Sequence, residues 1–186
     1  MNRWFSCLGL ILALALGLSA ATFGDGIMLT SAGQSNDILI AKQIFKQAGL
    51  ENIPSNPGLL ADALGRPETL VIVVGGSSKG LGSARDAVDK ELVRVNALLT
   101  AAGKAKVPVV CMHLGRKTRR GPLSDPFINA VAKHSATMLV IEGGNEDQLF
   151  SKVSREKEIP LIETADYVET VDHIRRLFGL KKPETK

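Results

Sequence analysis

Cysteine is scarce in this sequence, with two residues among 186. Cys7 lies in an amino-terminal segment that we expect to be removed, so Cys111 alone would remain, which excludes a disulfide within the chain. Cys111 lies inside the apolar run 107–112, and this position predicts a buried structural thiol rather than a reactive one.

Histidine is also scarce, and its spacing argues against a metal site. His113, His134 and His173 are scattered and show no ligand spacing. The acidic residues between 142 and 147 offer oxygen ligands for a hard cation, but they are more typical of a helix N-terminus. We therefore predict neither a metal site nor a cofactor.

Neither sign of charge dominates the chain. Residues 1–21 contain one basic residue, Arg3, so of the 23 Lys and Arg 22 remain against 19 Asp and Glu, a net charge of +3. Nucleic-acid-binding domains carry a much larger basic excess, usually concentrated on one face. The composition therefore argues against a nucleic-acid partner.

The amino terminus has the three parts of a secretory signal peptide. Residues 1–4 include the positive Arg3, Leu8 to Leu18 form an apolar core, and Ser19-Ala20-Ala21 supply small residues for cleavage. The apolar stretch is shorter than the roughly 20 residues that a membrane-spanning helix needs. We expect cleavage after residue 21, a secreted or periplasmic protein, and no transmembrane segment after cleavage.

Apolar strand-like runs alternate with helical patterns from residue 22 to residue 180, ahead of a polar tail, 181–186. The predicted strands are 27–30, 69–74, 107–112, 137–141 and 160–162. The predicted helices are 36–48, 83–103, 125–133, 145–157 and a last one that Thr164 caps and Gly179 ends. This alternation predicts a single α/β domain, a three-layer sandwich with about five mostly parallel strands, flavodoxin-like or Rossmann-like, with the strand order left open.

Ligands bind such sheets outside the carboxyl ends of the strands, and the polar and glycine residues concentrate in those loops. The loop 75–82 has four glycines, two serines and a lysine ahead of a predicted helix, which suits an anion. Arg119 and Arg120 offer bidentate contacts from the next loop, whereas Arg116 and Lys117 are expected to be solvated. The alternative for the glycine loop is a tight turn with no ligand.

The predicted ligand-binding residues all lie in these strand-end loops. They are Gln34, Ser35, Gly76, Ser77, Ser78, Lys79, Gly80, His113, Arg120 and Ser124.

Two nucleotide-binding classes are excluded on sequence grounds. Three glycines of the loop 75–82 match the cofactor turn of short-chain dehydrogenases, but that family places the turn after its first strand. Its Tyr-x-x-x-Lys is also missing, because Val171 stands four residues after the single tyrosine, Tyr167. A phosphate-binding P-loop fails because Leu81 replaces the lysine after its second glycine.

The segment Gly33-Gln34-Ser35-Asn36 is similar to the nucleophile block of secreted carbohydrate esterases of the SGNH hydrolase group. Ser35 would then need a histidine base, and His173 lacks the Asp-x-x-His spacing of that group. His113, at the end of a strand, is a second candidate for a base, or a buried histidine bonded to a carbonyl. A helix-capping or ligand-contacting role is favoured for Ser35.

Four blocks together resemble an uncharacterised family of exported bacterial proteins, domain-of-unknown-function family 6305. They are 29–35, 75–82, 119–125 and 142–150, and the resemblance covers nearly all of the chain after the signal peptide. It implies secretion and a small α/β fold and supplies no activity.

The leading functional hypothesis is a domain that binds a small anionic ligand at the carboxyl edge of the sheet. The first alternative is an esterase-like hydrolase that uses Ser35 or His113. The second is an interaction module whose basic loop docks on a partner protein or on anionic lipid headgroups.

Overall fold

A computed structural model describes residues 23–82 and 86–181 of the chain. In these residues five strands alternate with six α-helices and one 3-10 turn, Arg116–Arg119. The strands are β1 (Ile27–Ala32), β2 (Thr69–Val74), β3 (Val109–His113), β4 (Thr137–Ile141) and β5 (Leu161–Thr164). The helices are α1 (Asp37–Ala48), α2 (Ser78–Leu81), α3 (Ala87–Ala105), α4 (Asp125–Ala132), α5 (Leu149–Lys157) and α6 (Tyr167–Leu177).

The strands form one parallel sheet in the order β1-β2-β3-β4-β5 within the described residues. Strand β2 shows why the central strands are apolar throughout: Leu70 and Ile72 face one core, and Val71 and Val73 face the other. Helices α3, α4 and α5 cover the first face, and α1 and α6 cover the second. The predicted three-layer α/β sandwich is confirmed.

The segment between α1 and β2 carries the chain from one face of the sheet to the other. Ser55 makes an isolated parallel bridge beside Leu29 on the outer side of β1. Further on, Leu59 and Leu64 pack in the core of the α3 face. Ser55 thus occupies the place of a second strand outside β1, the position that the second strand takes in the flavodoxin-like order.

The predicted elements match the structure well in the strands and less well at the helix starts. Helix α3 begins at Ala87 and not at 83, and Ser83, its predicted cap, lies outside the described residues. The final helix is capped by Asp166, whose side chain accepts the N–H of Glu169, and not by Thr164. The short helix α2 was not predicted, because its four residues lie inside the glycine-rich loop.

Both ends of the described domain meet at the amino-terminal edge of the sheet. The N–H of Phe23 donates to the carbonyl of Leu177 at 2.8 Å, and the rings of Phe23 and Phe178 lie 5.9 Å apart. Phe45 also contacts Phe178, so this closure is part of the core of the α1 and α6 face.

The segment 1–21, predicted to be a signal peptide, lies outside the described residues, as do residues 182–186 of the predicted tail. Among the described helices, none combines the length and the apolar character needed to cross a membrane.

Candidate functional site

The backbone N–H groups of the glycine-rich loop are largely bonded within the protein. Gly75 donates to the carbonyl of Ala32 and Ser77 to that of Gly33, while Gly76 donates to the hydroxyl of Ser124 at 2.8 Å. The N–H groups of residues 80, 81 and 82 bond inside the loop itself. A loop whose donors are used in this way has few left for an anion, and this geometry favours the tight-turn alternative.

The glycines of this loop are needed for close packing. A Cβ on Gly76 would lie 2.4 Å from the carbonyl oxygen of Leu123, and one on Gly80 would lie 2.2 Å from that of Gln34. Ser78 and Lys79 are exposed. The loop therefore joins the ends of β1, β2 and the segment before α4.

The predicted residues Gln34 and Ser35 are also engaged in structural contacts. Gln34 adopts a φ of 57°, bridges Gly76, and donates its amide to both carboxylate oxygens of Glu91, at 3.1 and 3.2 Å. Ser35 is buried, and its Oγ accepts the N–H of Asp37, the first residue of α1, at 3.1 Å. The N-cap residue of α1 is Asn36, so Ser35 bonds the start of the helix from one residue before the cap position.

Arg120 is bonded on all sides by its own protein. Its Nε donates to Asp125 at 3.0 Å, both terminal nitrogens donate to Asp147, and one of them also reaches the carbonyl of Gly144. The guanidinium also lies over the ring of Phe150 and holds the pKa of the Asp147 carboxyl below its usual value. Arg120 thus joins the loops that follow β3 and β4.

His113 is fully buried at the end of β3. One ring nitrogen lies 3.2 Å from the carbonyl of Val74 and the other 3.1 Å from that of Arg116. Burial lowers the pKa of this imidazole, and the nearby Arg120 lowers it further. Both ring nitrogens of His113 lie on backbone carbonyls, and the hydroxyl of Ser35 bonds to Asp37, so the two residues considered as base and nucleophile of a hydrolase are not bonded to each other.

Cys111 is fully buried in β3, where burial strongly raises the pKa of its thiol. A protonated, inaccessible thiol is not a nucleophile, in keeping with the structural role predicted for it. The described residues contain no cluster of three His, Cys, Asp or Glu side chains arranged to hold a metal ion.

A cleft of about 480 Å³ opens at the carboxyl edge of the sheet, above the end of β3. We call it the edge cleft; its walls include Asp37, Ile40, Leu114, Arg116, Arg119 and Tyr167. This volume lies within the range of small-molecule sites. The first residues of α1 and α6, Asp37 and Tyr167, both line it, so two helix N-termini meet there.

Two arginines face the edge cleft. Arg116 is exposed, and its hydrogen bond is a long one, 3.4 Å to the carbonyl of Ala165. Its φ of 50° is a left-handed conformation that costs a non-glycine residue free energy. Arg119, 32% exposed, crosses Gly115 toward Asp37 and donates to the carbonyl of Gly76 at 3.2 Å.

Gly115 makes the path of Arg119 possible. A Cβ on Gly115 would overlap the side chain of Arg119 and would lie 2.8 Å from Oδ2 of Asp37. Tyr167, which also lines the cleft, is 37% exposed, and its hydroxyl donates to the carbonyl of Leu114 at 3.3 Å. The edge cleft thus presents two cations, one carboxylate, two helix N-termini and one aromatic face.

Other cavities differ from the edge cleft in their position or in the pairing of their charged residues. One of about 650 Å³, larger than the edge cleft, lies at the amino-terminal edge of the sheet, away from the strand-end loops, and Glu68 on its wall accepts the N–H of Gly26. A smaller one near Gln34 is lined by Glu91 and Arg94, which bond to each other. Among these cavities, the edge cleft combines charged side chains that retain free donors with a position at the carboxyl ends of the strands.

The structure brings together half of the residues predicted to bind a ligand, in one packed cluster. Gln34, Gly76, Ser77, Gly80 and Ser124 contact one another directly. His113 and Arg120 lie beside this cluster, below the loop after β3.

The principal residues of the edge cleft were not predicted from the sequence. Arg119 was considered as an anion contact, but Asp37 and Tyr167 were not, and Arg116 was assigned to solvent. One signal was present, since Asp37 and Tyr167 each start a helix that follows a strand after only a short loop.

The chain matches the model of the family DUF6305, described as a domain of unknown function, over residues 25–178. No curated protein matches it. A solved structure of a mutant of the esterase AlinE4 is similar at 12% sequence identity and a TM-score of 0.33, with 86% of this chain and 85% of that chain covered. A likeness this distant does not carry the activity of that esterase over to this chain. The match over residues 25–178 places the chain in the DUF6305 family.

Proposed function

We propose that this protein is an exported domain that binds a small anionic molecule in the edge cleft. One observation carries the proposal: Arg116 and Arg119 converge, with the N-termini of α1 and α6, on a cleft at the carboxyl edge of a parallel sheet. Helix N-termini and guanidinium groups both favour negative charge, and their effects add at one place.

The state of the two guanidinium groups supports the proposal. Arg120 is 10% exposed and uses each of its nitrogens on carboxylates or a carbonyl. Arg116 and Arg119 have longer and fewer bonds and keep N–H donors for a ligand. Exposed cations of this kind bind an anion more weakly as salt rises, so the affinity is expected to fall with ionic strength.

The test is isothermal titration calorimetry, which measures the affinity of the protein for phosphate, sulfate, short carboxylic acids and acidic sugars at low and high salt. We expect the double variant Arg116→Ala/Arg119→Ala to bind the best of these anions at least about tenfold more weakly, the loss of one charge-assisted bond. Arg155→Ala is the matched control, because Arg155 is an exposed arginine on α5, which packs on the other face of the sheet.

Two results would contradict the proposal. One is unchanged binding in the double variant. The other is a loss of binding in Lys79→Ala, which would indicate that the anion binds at the glycine-rich loop, as the sequence predicted. An esterase assay of the wild type and of Ser35→Ala separates binding from hydrolysis, because a binding domain shows no Ser35-dependent turnover.

A further inference from the structure

The carboxylate of Asp37 in the edge cleft lacks a full set of hydrogen bonds. The residue is 8% exposed, and its Oδ2 has no hydrogen-bond partner among the described residues. The nearest cation is Nε of Arg119, at 3.5 Å, which is an ion pair without hydrogen-bond geometry. A buried carboxylate oxygen in this state is costly to the folded protein.

The neighbours of this carboxylate explain why the protein itself does not satisfy it. Two of its neighbours are glycines, which have no side chain that could donate a hydrogen bond. Cβ atoms built on Gly75 and Gly115 would lie 3.7 and 2.8 Å from Oδ2, which shows how close these two residues are to it. Arg119 divides its guanidinium between Asp37 and the carbonyl of Gly76. A donor supplied by a ligand in the cleft, acting directly on the carboxylate or by moving Arg119 onto Oδ2, would remove this deficit.

The same cleft presents Arg116 on its outer wall. The cleft therefore offers two cations for an acid group and, 3.5 Å from Nε of Arg119, a carboxylate for a donor. We infer that the ligand is an acid that also carries a hydroxyl or an ammonium group close to its carboxylate, as hydroxy acids, sugar acids and amino acids do. This inference rests on the proposed function and specifies its ligand.

A plain anion fits such a site less well. Asp37 repels a second negative charge, and a ligand without a donor leaves the carboxylate unsatisfied. A hydroxyl or ammonium group that reaches Asp37 forms a charge-assisted hydrogen bond, which is stronger than a neutral one. The expected preference for the donor-bearing acid over its plain analogue is about tenfold.

The experiment uses three acids with one carbon skeleton: butyrate, 2-hydroxybutyrate and 2-aminobutyrate, with the 3-substituted acids alongside. Binding is measured by calorimetry for the wild type and for Asp37→Asn. We expect the wild type to prefer a substituted acid. In Asp37→Asn that acid should bind more weakly, while butyrate should bind equally well or better because the repelling charge is gone.

The direction of these changes separates a ligand contact from a structural role. If Asp37 served only to position Arg119, Asp37→Asn would weaken all the acids together. Equal binding of plain and substituted acids by the wild type would overturn the inference and leave the proposed function standing. Binding of none of the acids, nor of the other anions, would overturn both. Preference for the amino acid over the hydroxy acid would identify the donor as ammonium.

Discussion

Arginines that share one short loop differ here in what surrounds them. Arg120 is 10% exposed and bonds to two carboxylates, whereas Arg116 is exposed and bonds to one distant carbonyl. The sequence presents both as members of one basic run. Their different roles depend on Asp125 and Asp147, of which Asp147 belongs to a loop 27 residues away from Arg120. Contacts of this range were not predictable from the local pattern, and so the prediction favoured Arg120 over Arg116.

A buried ion pair provides a test at the residue scale. Arg94 and Glu91 are 11% and 7% exposed and 2.7 Å apart, and Arg94 also donates to the carbonyls of Leu59 and Ser31. Glu91→Gln leaves the Arg94 charge buried without a counter-charge, so we expect the free energy of unfolding to fall by about 3 kcal/mol. Urea denaturation measures this change.

The control for this prediction is the exposed pair of Lys90 and Asp86 on the first turn of α3. Lys90→Ala should change the free energy of unfolding by no more than about 0.5 kcal/mol, because exposed pairs of this spacing contribute little. An equally small effect of Glu91→Gln would show that the buried pair is not what joins β1 to α3.

At the scale of elements, the strands and most helices followed from the sequence because their signals are local. Strands β2 and β4 are continuous apolar runs with both faces buried, and their bounds were predicted to the residue. Some predicted helix starts were wrong because their signals are less local. Asn145, predicted to be a helix cap, does accept the N–H groups of Phe150 and Ser151, but it lies four residues before α5 begins. A cap formed by a folded-back loop gives no regular spacing to recognise.

Two glycines test the role assigned to the glycine-rich loop. Gly76→Ala places a Cβ 2.4 Å from the backbone of Leu123, so the two loops must separate, and we expect a loss of about 2 kcal/mol in unfolding free energy. Gly103→Ala is the matched change, since Gly103 lies inside α3 with nothing within 4 Å of its Cβ position. There we expect a gain of about 0.5–1 kcal/mol from the higher helix propensity of alanine.

Thermal and urea unfolding of the two alanine variants give the comparison. A neutral Gly76→Ala would indicate that the loop after β2 is not packed tightly against residue 123, and the tight-turn account of that loop would fail.

For the whole molecule, the fold class was predictable and the path of the chain was not. Alternating strands and helices specify a parallel sheet, but they do not say which face each helix covers. The decisive feature is the irregular segment 50–67, which runs beside β1 at Ser55 and returns on the opposite face. Because α1 and α6 share a face as a result, their first residues meet at the edge cleft, and no local sequence pattern shows that meeting.

Global stability is expected to decline in mild acid. Burial lowers the pKa of His113 below its ordinary value, and burial with Arg176 does the same for the more exposed His173. In the unfolded chain His113 is protonated at about pH 6.5, whereas in the folded protein it is protonated only at lower pH. The free energy of unfolding therefore falls as the pH drops below about 6.5.

The variant His113→Asn should flatten this decline between pH 6.5 and 5, whatever its effect on stability at neutral pH. One proton corresponds to about 1.4 kcal/mol per pH unit at most. His173→Asn is the comparison and should flatten the curve less, because that ring is only partly buried. Urea denaturation across this range measures the slopes, and a slope in His113→Asn equal to that of the wild type would refute the assignment.

The contact of Phe23 with Leu177 and Phe178 has a practical consequence. Both ends of the described domain lie at the edge of the sheet opposite the edge cleft, so a linker attached at either end would hold the domain with the cleft directed away from the support. Immobilised protein is therefore suited to surface-based binding measurements in either orientation. For the same reason a short peptide joining the two ends should permit circular permutation, with new termini opened in an exposed loop.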